Sequence, residues 1–593
     1  MNVIWRVSGY LFRYKALFFL TLLMATAMTA LAIAVPQVVQ SVLDQMFGEN
    51  HEDAEGMTTV LTQGLLLIST LFFAREAFNC FRIRVNNVLE QKVILDLRRD
   101  LHDKLLDLPV SFYDRRKSGD IASRVVEDVQ NVERAILDGT EQGMVAVLTI
   151  AGVTAIMFSL EPTLAALVFL PLPILVLMGF RYAKASRKNW RDVRETSGEL
   201  NAMLVEDIQG NRLIHSFALK ERERKRFLEI SEELRRRNLR TMFRWSIQSP
   251  AAGFVSSLGV VAVVGMGAYL LKIKPDGSSG FTVGEFFAFL LYANMFYEPV
   301  RQLVSINNLL AAGKASGDRV FEVLDHPVDI RDAESPIQCP KGPIEVEFKN
   351  ICFSYPDRDE IIDGLDLTLP PGKVTAMVGP TGAGKTTLAN LLQRYYEVDS
   401  GAILLNDVDV KDIELAQLRG SMGVVSQDPF LFDASVADNL LLARRDATPE
   451  ELENALRTAC AWSFTQDLPE KLDTMIGERG IRLSMGEKQR LTIARVLLRD
   501  PPVVILDEAT SSVDVATERE IQKGLANLLE SRTSLVIAHR LSTVRNADQI
   551  VFLKHGRILE QGSHEELLNR PDGEYAALWR RQGDIITEAS LAT

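Results

Sequence analysis

Six long apolar stretches constrain this chain more than any other feature of its sequence. They lie in the first half of its 593 residues and are separated by charged segments. A helix needs about 20 apolar residues to cross the hydrocarbon core of a bilayer. Stretches that approach this length cover residues 16–35, 59–79, 142–160, 164–182, 251–271 and 283–299. The sequence therefore predicts an all-α six-helix transmembrane domain.

The distribution of lysine and arginine predicts how the spans are oriented. The first loop, DQMFGENHEDAEGM, has five acidic residues and neither lysine nor arginine. The segments over residues 82–134 and 184–244 are rich in both basic residues. Basic loops tend to stay on the cytoplasmic side of a membrane. We therefore expect a multi-pass protein of the inner (cytoplasmic) membrane, with both termini and the whole second half of the chain in the cytoplasm.

The two long cytoplasmic segments are predicted to be rods. Residues 83–134 and 184–245 are largely compatible with helix, and the breaks fall at Pro109, Gly119 and Gly210. Long structureless loops are uncommon in compact proteins. We expect the membrane helices to continue beyond the bilayer and to be joined by short turns, and a solvated charged loop is the alternative.

Residues 1–15 have a different pattern from the spans. Arg6, Arg13 and Lys15 alternate with aromatic and aliphatic residues. Such a segment favours an amphipathic helix that lies in the plane of the membrane surface.

Two pairs of charged residues near the spans allow two interpretations. Arg75 and Glu76 lie in or near the end of the second stretch, and Glu298 and Arg301 lie at the inner end of the sixth. Charge inside a membrane is costly and usually faces a cavity or a partner. Near the interface, long side chains can instead reach the headgroups. Both interpretations stay open at this stage.

Composition excludes some classes of protein. The chain is 47% hydrophobic and 24% charged, which averages over two unlike halves. Its net charge of −12 argues against a general nucleic-acid binder, and we expect no nucleic-acid partner. The four cysteines have no metal-ligand spacing, so inert thiols are expected rather than a zinc site or disulfides.

The second half has the pattern of a soluble α/β domain. The join, DHPVDIRDAESPIQCPKGP, is rich in proline and charge, as linkers are. Apolar and charged residues then alternate from Ile344 to Lys349, which predicts an edge-type strand. We predict a transmembrane domain over 1–324, a linker over 325–343, an α/β P-loop nucleotide-binding domain over 344–582 and a tail over 583–593.

A phosphate-binding loop is the strongest local signal. An apolar strand, Val374–Val378, runs into GPTGAGKT and then a helix, which is G-x-x-x-x-G-K-T in its proper context. The glycines let backbone N–H groups converge on phosphate oxygens at a helix N-terminus. Lys385 supplies charge to the β- and γ-phosphates, and the Thr386 hydroxyl suits Mg²⁺. The sequence therefore predicts a site for ATP and Mg²⁺.

A second strand supplies carboxylates to this chemistry. Residues 503–506 form a continuous apolar run, as in a buried parallel strand, and end in Asp507 and Glu508. At the carboxyl end of a strand, Asp507 can reach Mg²⁺ directly or through water. Glu508 is placed to orient or deprotonate an attacking water molecule. Together the two motifs predict a nucleoside triphosphatase.

The order of the remaining motifs resembles the ATP-binding cassette (ABC) transporters. Tyr355 in FSYPD precedes the phosphate loop, Gln427 in VVSQDPFLF follows a strand, and His539 in SLVIAHRLSTV ends a later strand. The stretch IRLSMGEKQR, residues 481–490, precedes the strand of Asp507. With six spans in front, the chain is similar to a half-transporter exporter of the type IV fold, from about residue 5 to 580. Bacterial multidrug and lipid exporters, including lipid A flippases, share this pattern.

The resemblance implies a role for each motif. Glu508 is the catalytic base, Gln427 senses the metal and the γ-phosphate, and His539 contacts the γ-phosphate. Thr386, Gln427 and Asp507 are the expected metal-site residues. The residues expected to contact nucleotide are Tyr355, Gly379, Pro380, Thr381, Gly382, Ala383, Gly384, Lys385, Thr386, Thr387, Ser484, Met485, Gly486, Glu487 and Asp514.

The resemblance also implies a dimer. Tyr355 stacks on adenine, and Asp514 lies at an interface that sandwiches two ATP molecules between two chains. The turns SFYDRRKSGD, residues 111–120, and IQGNRLIHSF, residues 208–217, dock on the nucleotide-binding domains. The chain carries one copy of each part and needs a second half-transporter chain. A homodimer is favoured, and a heterodimer stays open.

The stretch IRLSMGEKQR departs from the family consensus Leu-Ser-Gly-Gly-Gln. Leu483, Ser484 and Gly486 match, whereas Met485 and Glu487 do not. Ser484 keeps a hydroxyl for the partner's γ-phosphate, and Met485 has a higher helix propensity than glycine. Ser484-x-x-Glu487 is also a capping box. We therefore expect an active variant with a stiffer helix start rather than a degenerate signature.

Three functions remain open. The leading hypothesis is an ATP hydrolase coupled to transport, which exports or flips amphipathic, lipidic or drug-like substrates and contacts membrane lipids. A narrower version is a lipid A-type flippase, in which Arg75 and Arg301 hold an anionic headgroup, although Glu298 lies one turn from Arg301. The alternative from another class is an ATP-gated channel or regulatory membrane protein. The substrate is not determined by the sequence.

Overall fold

A computed structural model of the chain describes residues 3–47, 54–273, 281–356, 359–477, 480–507, 515–538 and 544–580. By their internal contacts the residues divide into two compact units. The first comprises Met1–Leu106 and Ser118–His326, and the second comprises Asp107–Lys117 and Pro327–Thr593. The short segment over 107–117 therefore groups with the C-terminal unit, although the chain on both sides of it belongs to the N-terminal one.

Long helices make up the N-terminal unit. A π-helical segment, Arg124–Asp128, leads directly into one of them. The α-helices before residue 327 are listed here in chain order, and α4 among them belongs to the C-terminal unit. They are α1 (Val3–Arg13), α2 (Lys15–Phe47), α3 (Ala54–Asp107), α4 (Val110–Asp114), α5 (Ser118–Ser123), α6 (Val129–Leu160), α7 (Pro162–Phe169), α8 (Leu172–Gln209), α9 (Asn211–Ser216), α10 (Lys220–Ile273) and α11 (Val283–Leu324).

Each of the six predicted apolar stretches lies in these helices. The fourth is shared by α7 and α8, which meet at Leu170 and Pro171. Among the described residues, five helical segments are long and apolar enough to cross a membrane: Lys15–Phe47, Glu55–Asp107, Ser118–Leu160, Pro162–Gln209 and Lys220–Leu271. The sixth stretch begins α11, which is long but does not reach the apolarity of those five.

As predicted, α3 and α8 continue without a break from the apolar stretches into the charged segments, and short turns follow them; that these helices extend beyond a bilayer stays a prediction. α3 continues to Asp107, and Pro109 then caps α4, because proline lacks the N–H that a helix interior needs. α8 ends at Gly210, which is its C-cap residue. The predicted break at Gly119 is wrong: Gly119 lies inside α5, and the chain turns just before it at residues 115–117. A glycine is tolerated in the first turn of a helix, so its presence alone does not end one.

Aromatic side chains fill the core between α6, α7, α10 and α11. Phe289, Tyr292, Phe296 and Tyr297 are buried in it. The hydroxyls of Tyr292 and Tyr297 donate to the backbone oxygens of Ile33 and Val168, each at 2.8 Å. Phe289, Tyr292, Phe296 and Tyr297 therefore pack within the helical core, whereas Phe287 of the same helix is 47% exposed.

Ion pairs tie the N-terminal end of α6 to the C-terminal end of α11. Arg319 of α11 donates from Nε to Asp128 at 2.8 Å, and the Asp128 side chain is only 4% exposed. Arg124, at the start of the π-helical segment, pairs with Glu322 at 2.9 Å. A buried carboxylate needs such a partner, because its desolvation is otherwise costly.

The amphipathic helix α1 makes ion pairs within its own unit. Arg6 donates to Asp325 at 2.7 Å and stacks over the Phe321 ring at 3.9 Å, both at the end of α11. The bond from Arg6 lowers the pKa of Asp325 below its ordinary value. Arg13 pairs with Asp96 of α3 at 3.3 Å. α1 is thus fixed to two of the long helices.

Two sheets form the C-terminal unit. A four-stranded sheet has the order β2-β1-β4-β5, and a six-stranded sheet has the order β10-β9-β3-β8-β7-β6. The strands are β1 (Val346–Ser354), β2 (Glu360–Leu369), β3 (Val374–Val378), β4 (Ser400–Leu405), β5 (Val408–Asp409), β6 (Met422–Val425), β7 (Val503–Asp507), β8 (Thr533–Ile537), β9 (Gln549–Lys554) and β10 (Arg557–Gly562). β9, β3, β8, β7 and β6 pair in parallel, as in a P-loop domain.

Helices cover the parallel sheet. They are α12 (Lys385–Leu392), α13 (Leu415–Gly420), α14 (Val436–Leu441), α15 (Pro449–Thr458), α16 (Trp462–Asp467), α17 (Met485–Arg499), α18 (Val515–Leu529) and α19 (His564–Leu568). A short 3₁₀ turn spans Lys471–Asp473. Apolar side chains from β3, β7, β8 and α17 form a large part of the core.

Two predictions about the start of this unit need correction. β1 alternates in burial as predicted, but it lies between β2 and β4 and is not an edge strand. The predicted linker packs on the C-terminal unit: Ile337 bridges to Ile413, and the Cys339 N–H donates to Gln417 at 3.0 Å. Proline and charge made the segment resemble a linker, but its backbone bonds hold it in place.

Candidate functional site

The phosphate loop joins β3 to α12 in a conformation that needs glycine. Gly379 has φ +149°, and a Cβ there would lie 2.0 Å from the backbone oxygen of Leu553. Gly384, the N-cap residue of α12, has φ +103°, and a Cβ there would lie 2.5 Å from Cδ1 of Ile362. Side chains are excluded at both positions by backbone conformation or by space. The remaining loop residues are Pro380, Thr381, Gly382 and Ala383, of which only Ala383 is buried.

Lys385 lies folded against this loop. Its Nζ donates to the backbone oxygens of Gly379 at 2.8 Å and Pro380 at 3.0 Å, and the residue is only 6% exposed. The ammonium group is therefore held beside the loop whose N–H groups face an anion. Thr386 follows with an exposed side chain, whereas Thr387 is buried.

Parallel strands bring three predicted residues to one edge of the sheet. Met377 of β3 and Asp507 of β7 both pair with Ile537 of β8. The end of β3, where the phosphate loop begins, is therefore level with Asp507 along the strand direction. With strands ~4.8 Å apart, these two backbones lie roughly 10 Å from each other. Gln427 follows the end of the next strand, β6, and is exposed.

The groups at this edge suit a hard cation. Thr386 offers a hydroxyl oxygen, Gln427 an amide oxygen and Asp507 a carboxylate oxygen. Mg²⁺ prefers oxygen ligands and is usually held by one or two protein groups together with phosphate. The donor set therefore fits Mg²⁺ bound with a nucleotide.

Tyr355 lies on the other side of the phosphate helix. Its hydroxyl donates to Thr387 Oγ1 at 3.3 Å. Its ring contacts Phe353 and Tyr396 edge-to-face, with centroids 4.9 Å and 5.0 Å away. Sequence reasoning found Tyr355 but missed Tyr396, because a tyrosine outside every motif gives no signal until the fold brings it into contact.

The predicted capping box at the start of α17 is confirmed. Ser484 is the N-cap residue, and its Oγ accepts from the Glu487 N–H at 3.4 Å. The Glu487 carboxylate accepts in return from the Ser484 N–H at 2.7 Å and from its hydroxyl at 2.8 Å. Gly486 is buried, Met485 is half-buried and Ser484 is exposed. The exposed helix N-terminus thus has a carboxylate bound to it.

Three predicted residues lie outside the described part of the chain. These are Glu508, the expected catalytic base, Asp514 and His539. The strands that precede Glu508 and His539 are described, and β7 and β8 end side by side in the parallel sheet. The roles of the three residues stay predictions.

The two predicted docking turns differ in exposure. In the first, Phe112 is 3% exposed, and Asp114 accepts a hydrogen bond from the Tyr396 hydroxyl. In the second, no residue of α9 is buried. Leu213 and Phe217 of that turn are 59% and 68% exposed.

The charged residues near the spans pair locally. Arg75 donates to Glu76 at 2.9 Å, and Arg301 pairs with Glu298. Both members of each pair are exposed. The structure therefore favours mutual pairing over a dedicated binding site for either arginine.

All four cysteines are free thiols. The Sγ of Cys352 does lie near the carboxylates of Glu360 and Asp363, within 4.8 Å. Cys352 Sγ accepts from the Gly364 N–H at 3.2 Å, and Asp363 accepts from Arg557 at 2.9 Å. Because these groups have protein partners, the cluster is explained without an ion.

Two protein families match parts of the sequence. The family described as ABC transporter transmembrane region matches residues 18–300, and the family described as ABC transporter matches residues 362–511. The second match contains the phosphate loop, the start of α17 and Asp507.

Individual relatives match nearly the whole chain. The ATP-dependent lipid A-core flippase of Syntrophus aciditrophicus is 35% identical over 93% of this chain and 90% of its own. A fatty acid ABC transporter ATP-binding/permease protein of Mycobacterium bovis is 36% identical over 89% of this chain and 83% of its own. The solved structure of a bacterial Atm1-family ABC exporter with ATP bound superposes with a TM-score of 0.81, at 26% identity, over 96% of this chain and 98% of that one.

Proposed function

The chain belongs to the ABC transporters, as an exporter that couples ATP hydrolysis to transport, and from this we propose that it moves an amphipathic, lipidic or drug-like substrate outward across the inner membrane. The observation that carries the proposal is the shared sheet edge. There the phosphate loop, Asp507 and Gln427 follow the parallel strands β3, β7 and β6, with β8 between the first two. This arrangement supports phosphate binding and metal binding at one nucleotide.

Each residue at the edge then has a task. The phosphate loop and Lys385 bind the β- and γ-phosphates, and Tyr355 stacks on the base. Glu508 follows Asp507 directly and acts as the general base for water. Thr386, Gln427 and Asp507 hold Mg²⁺, which neutralises charge on the phosphates when bound. Gln427 and His539 contact the γ-phosphate side.

We propose that two copies of the chain form the transporter. The exposed Leu213 and Phe217 of the second turn supply an apolar surface for a second chain. On the nucleotide-binding unit, Phe430 and Phe432 are 53% and 54% exposed and stack edge-to-face at 5.2 Å. Apolar clusters of this kind mark interaction surfaces. Ser484 of one chain would face the ATP of the other, so that ATP favours the closed pair and hydrolysis releases it.

The charges near the spans bear on the substrate class. An anionic headgroup needs arginine that is free to bind it, and Arg75 and Arg301 each have a carboxylate partner. This supports a broad lipid or drug-like substrate over a polyanionic glycolipid. We propose that the basic segments, and with them the nucleotide-binding domain, face the cytoplasm, as the distribution of basic residues predicts.

Transport by purified protein in proteoliposomes tests the proposal. Vesicles carry a panel of fluorescent phospholipid analogues, fluorescent lipid A and amphipathic dyes, and ATP with Mg²⁺ is added outside. We expect ATP-dependent movement of at least one probe, and hydrolysis that this probe stimulates. Lys385→Ala and Glu508→Gln serve as matched controls that should abolish hydrolysis.

Two results would contradict the proposal. One is ATP hydrolysis that no probe alters, together with an ATP-opened ion conductance, which would identify a channel. The other is movement confined to lipid A in the same panel, which would restore the narrower flippase assignment.

A further inference from the structure

Three aromatic rings meet beside the phosphate helix. Phe353, Tyr355 and Tyr396 are mutually in contact: the Phe353–Tyr396 centroids are 5.7 Å apart, and the Tyr355–Tyr396 rings cross at 88°. Phe353 and Tyr396 are buried, whereas Tyr355 is half-buried. Edge-to-face contact is the favourable geometry for such rings and makes their orientations interdependent.

The hydroxyl of Tyr396 points out of this cluster to the first cytoplasmic turn. It donates to Oδ2 of Asp114, the last residue of α4. Burial, and then the bond to Asp114, raise the pKa of Tyr396 well above its ordinary range. The phenol therefore keeps its proton and remains a donor, and a bond to a charged acceptor is stronger than one between neutral groups.

The turn that carries Asp114 is continuous with the membrane helices. It lies between α3 and α5 and groups with the nucleotide-binding unit. Phe112 anchors it and is 3% exposed, and Arg116 stacks over that ring at 4.2 Å. A change in how firmly Asp114 is held is therefore passed along the chain to α3.

Tyr355 connects the cluster to the nucleotide. Its hydroxyl bonds to Thr387 at 3.3 Å, so its ring is fixed from the phosphate helix on one side and from Tyr396 on the other. A purine that stacks on Tyr355 would limit the remaining motion of this ring.

We propose that Tyr396 is a positioning residue that transmits occupancy of the adenine site to the first cytoplasmic turn, through its ring contact with Tyr355 and its hydrogen bond to Asp114. This inference rests on the proposed function, because it assumes that ATP binds at Tyr355. The alternative is that Tyr396 only fills space. In that case its hydroxyl would be dispensable and phenylalanine would serve equally well.

Hydrogen–deuterium exchange of the full-length protein in detergent separates the two. Exchange in peptides that cover residues 107–117 and 379–387 is measured without nucleotide and with a non-hydrolysable ATP analogue plus Mg²⁺. In the wild type we expect the analogue to slow exchange in both. In Tyr396→Phe the slowing at 107–117 should fall by about tenfold, the loss expected for one hydrogen bond to a charged group. The slowing at 379–387 should stay within about twofold of the wild type, because the variant leaves the phosphate loop and its hydrogen bonds unchanged.

Three further variants control the experiment. Tyr395→Phe makes the same chemical change at the neighbouring residue, whose ring lies under Arg419 at 5.4 Å, and should behave as the wild type. Asp114→Ala removes the acceptor and should reproduce Tyr396→Phe. Asp114→Asn keeps an acceptor oxygen and should retain most of the response at 107–117.

The outcomes distinguish this inference from the function on which it rests. If the analogue fails to slow exchange at 379–387 in the wild type, the proposed nucleotide site itself is wrong. If 379–387 responds but 107–117 responds equally in the wild type and Tyr396→Phe, or in neither, only the role of Tyr396 is overturned.

Discussion

Ser484 has its hydroxyl and its backbone N–H on the same carboxylate, that of Glu487. To donate to a partner's γ-phosphate, the hydroxyl must leave Glu487, which can still accept from the N–H. The departure from the family consensus therefore replaces a neutral amide, which can also cap this helix start, with a charged carboxylate. A carboxylate at this position also opposes an anion that approaches the helix N-terminus.

Restoring the consensus should change hydrolysis only modestly. In Met485→Gly/Glu487→Gln, we expect the ATPase rate at saturating ATP to change by about fivefold or less, since one hydrogen bond and a small propensity difference are involved. The measurement is steady-state phosphate release from purified protein, with Glu508→Gln as the background. A gain of about a hundredfold, or roughly 2.7 kcal/mol, would mean that the native signature is degenerate. It would also favour a heterodimer, in which this chain contributes one poor signature.

At the scale of helices, the contact between α6 and α11 depends on a buried charge. Asp128 is almost fully buried, whereas its partner Arg319 is 54% exposed. When Asp128 is neutralised, the Arg319 guanidinium can still be hydrated. The loss of unfolding free energy is therefore smaller than for a pair in which both side chains are buried. The π-helical segment that ends at Asp128 holds this carboxylate against α11.

Asp128→Asn should therefore destabilise the N-terminal unit by about 1–2 kcal/mol. The measurement is the thermal unfolding midpoint in detergent, followed by tryptophan fluorescence. The matched control is Glu232→Gln, which removes a pair on α10 whose members are 46% and 61% exposed, and should cost less than about 0.5 kcal/mol. Equal shifts for the two variants would show that burial of Asp128 is not what stabilises this contact.

The helices and strands were largely predictable because their signals are local. Pro109 ends α3, Gly210 ends α8, and the apolar run before Asp507 forms β7, all as expected. The place of β1 inside its sheet was not predictable, because alternation reports one buried face and not the number of neighbouring strands. The prediction of a break at Gly119 failed for a related reason: glycine allows a turn but does not require one.

The candidate site was predictable where a motif carries the chemistry. The phosphate loop, Asp507 and the capping box at Ser484 each have a fixed spacing, and the fold brings the first two to one edge. Tyr396 and Asp114 have no such spacing and lie far apart in sequence. Their bond exists only because the first turn packs on the nucleotide-binding unit.

At the scale of the whole molecule, the turns at residues 111–120 and 208–217 predict how chains associate. The first is anchored by Phe112 within its own chain, and the second is exposed. If two copies assemble, the second turn of one chain should lie against the nucleotide-binding unit of the other. Phe430 and Phe432 offer the matching apolar surface.

Cysteine cross-linking tests this arrangement. In a variant without the four native cysteines, Leu213→Cys and Phe432→Cys together should give a disulfide-linked species of twice the chain mass. Each single variant should remain largely monomeric on the denaturing gel. The control pair combines Leu228→Cys with Phe432→Cys. Leu228 lies on α10 and is 56% exposed, and this pair should not form a cross-link. A species of single-chain mass that carries an internal cross-link would contradict the exchange of turns between copies.

The grouping of residues 107–117 with the C-terminal unit has a consequence for biogenesis. The ribosome makes this peptide long before Tyr396, and membrane insertion of α3 and α6 precedes synthesis of the domain that receives it. The nucleotide-binding unit therefore completes its contacts only when this earlier peptide docks on it. A fragment that starts after the last membrane helix would leave the site of Phe112 open to water. Maturation should thus include a docking step of this peptide, and truncated versions of the soluble half should be prone to aggregation.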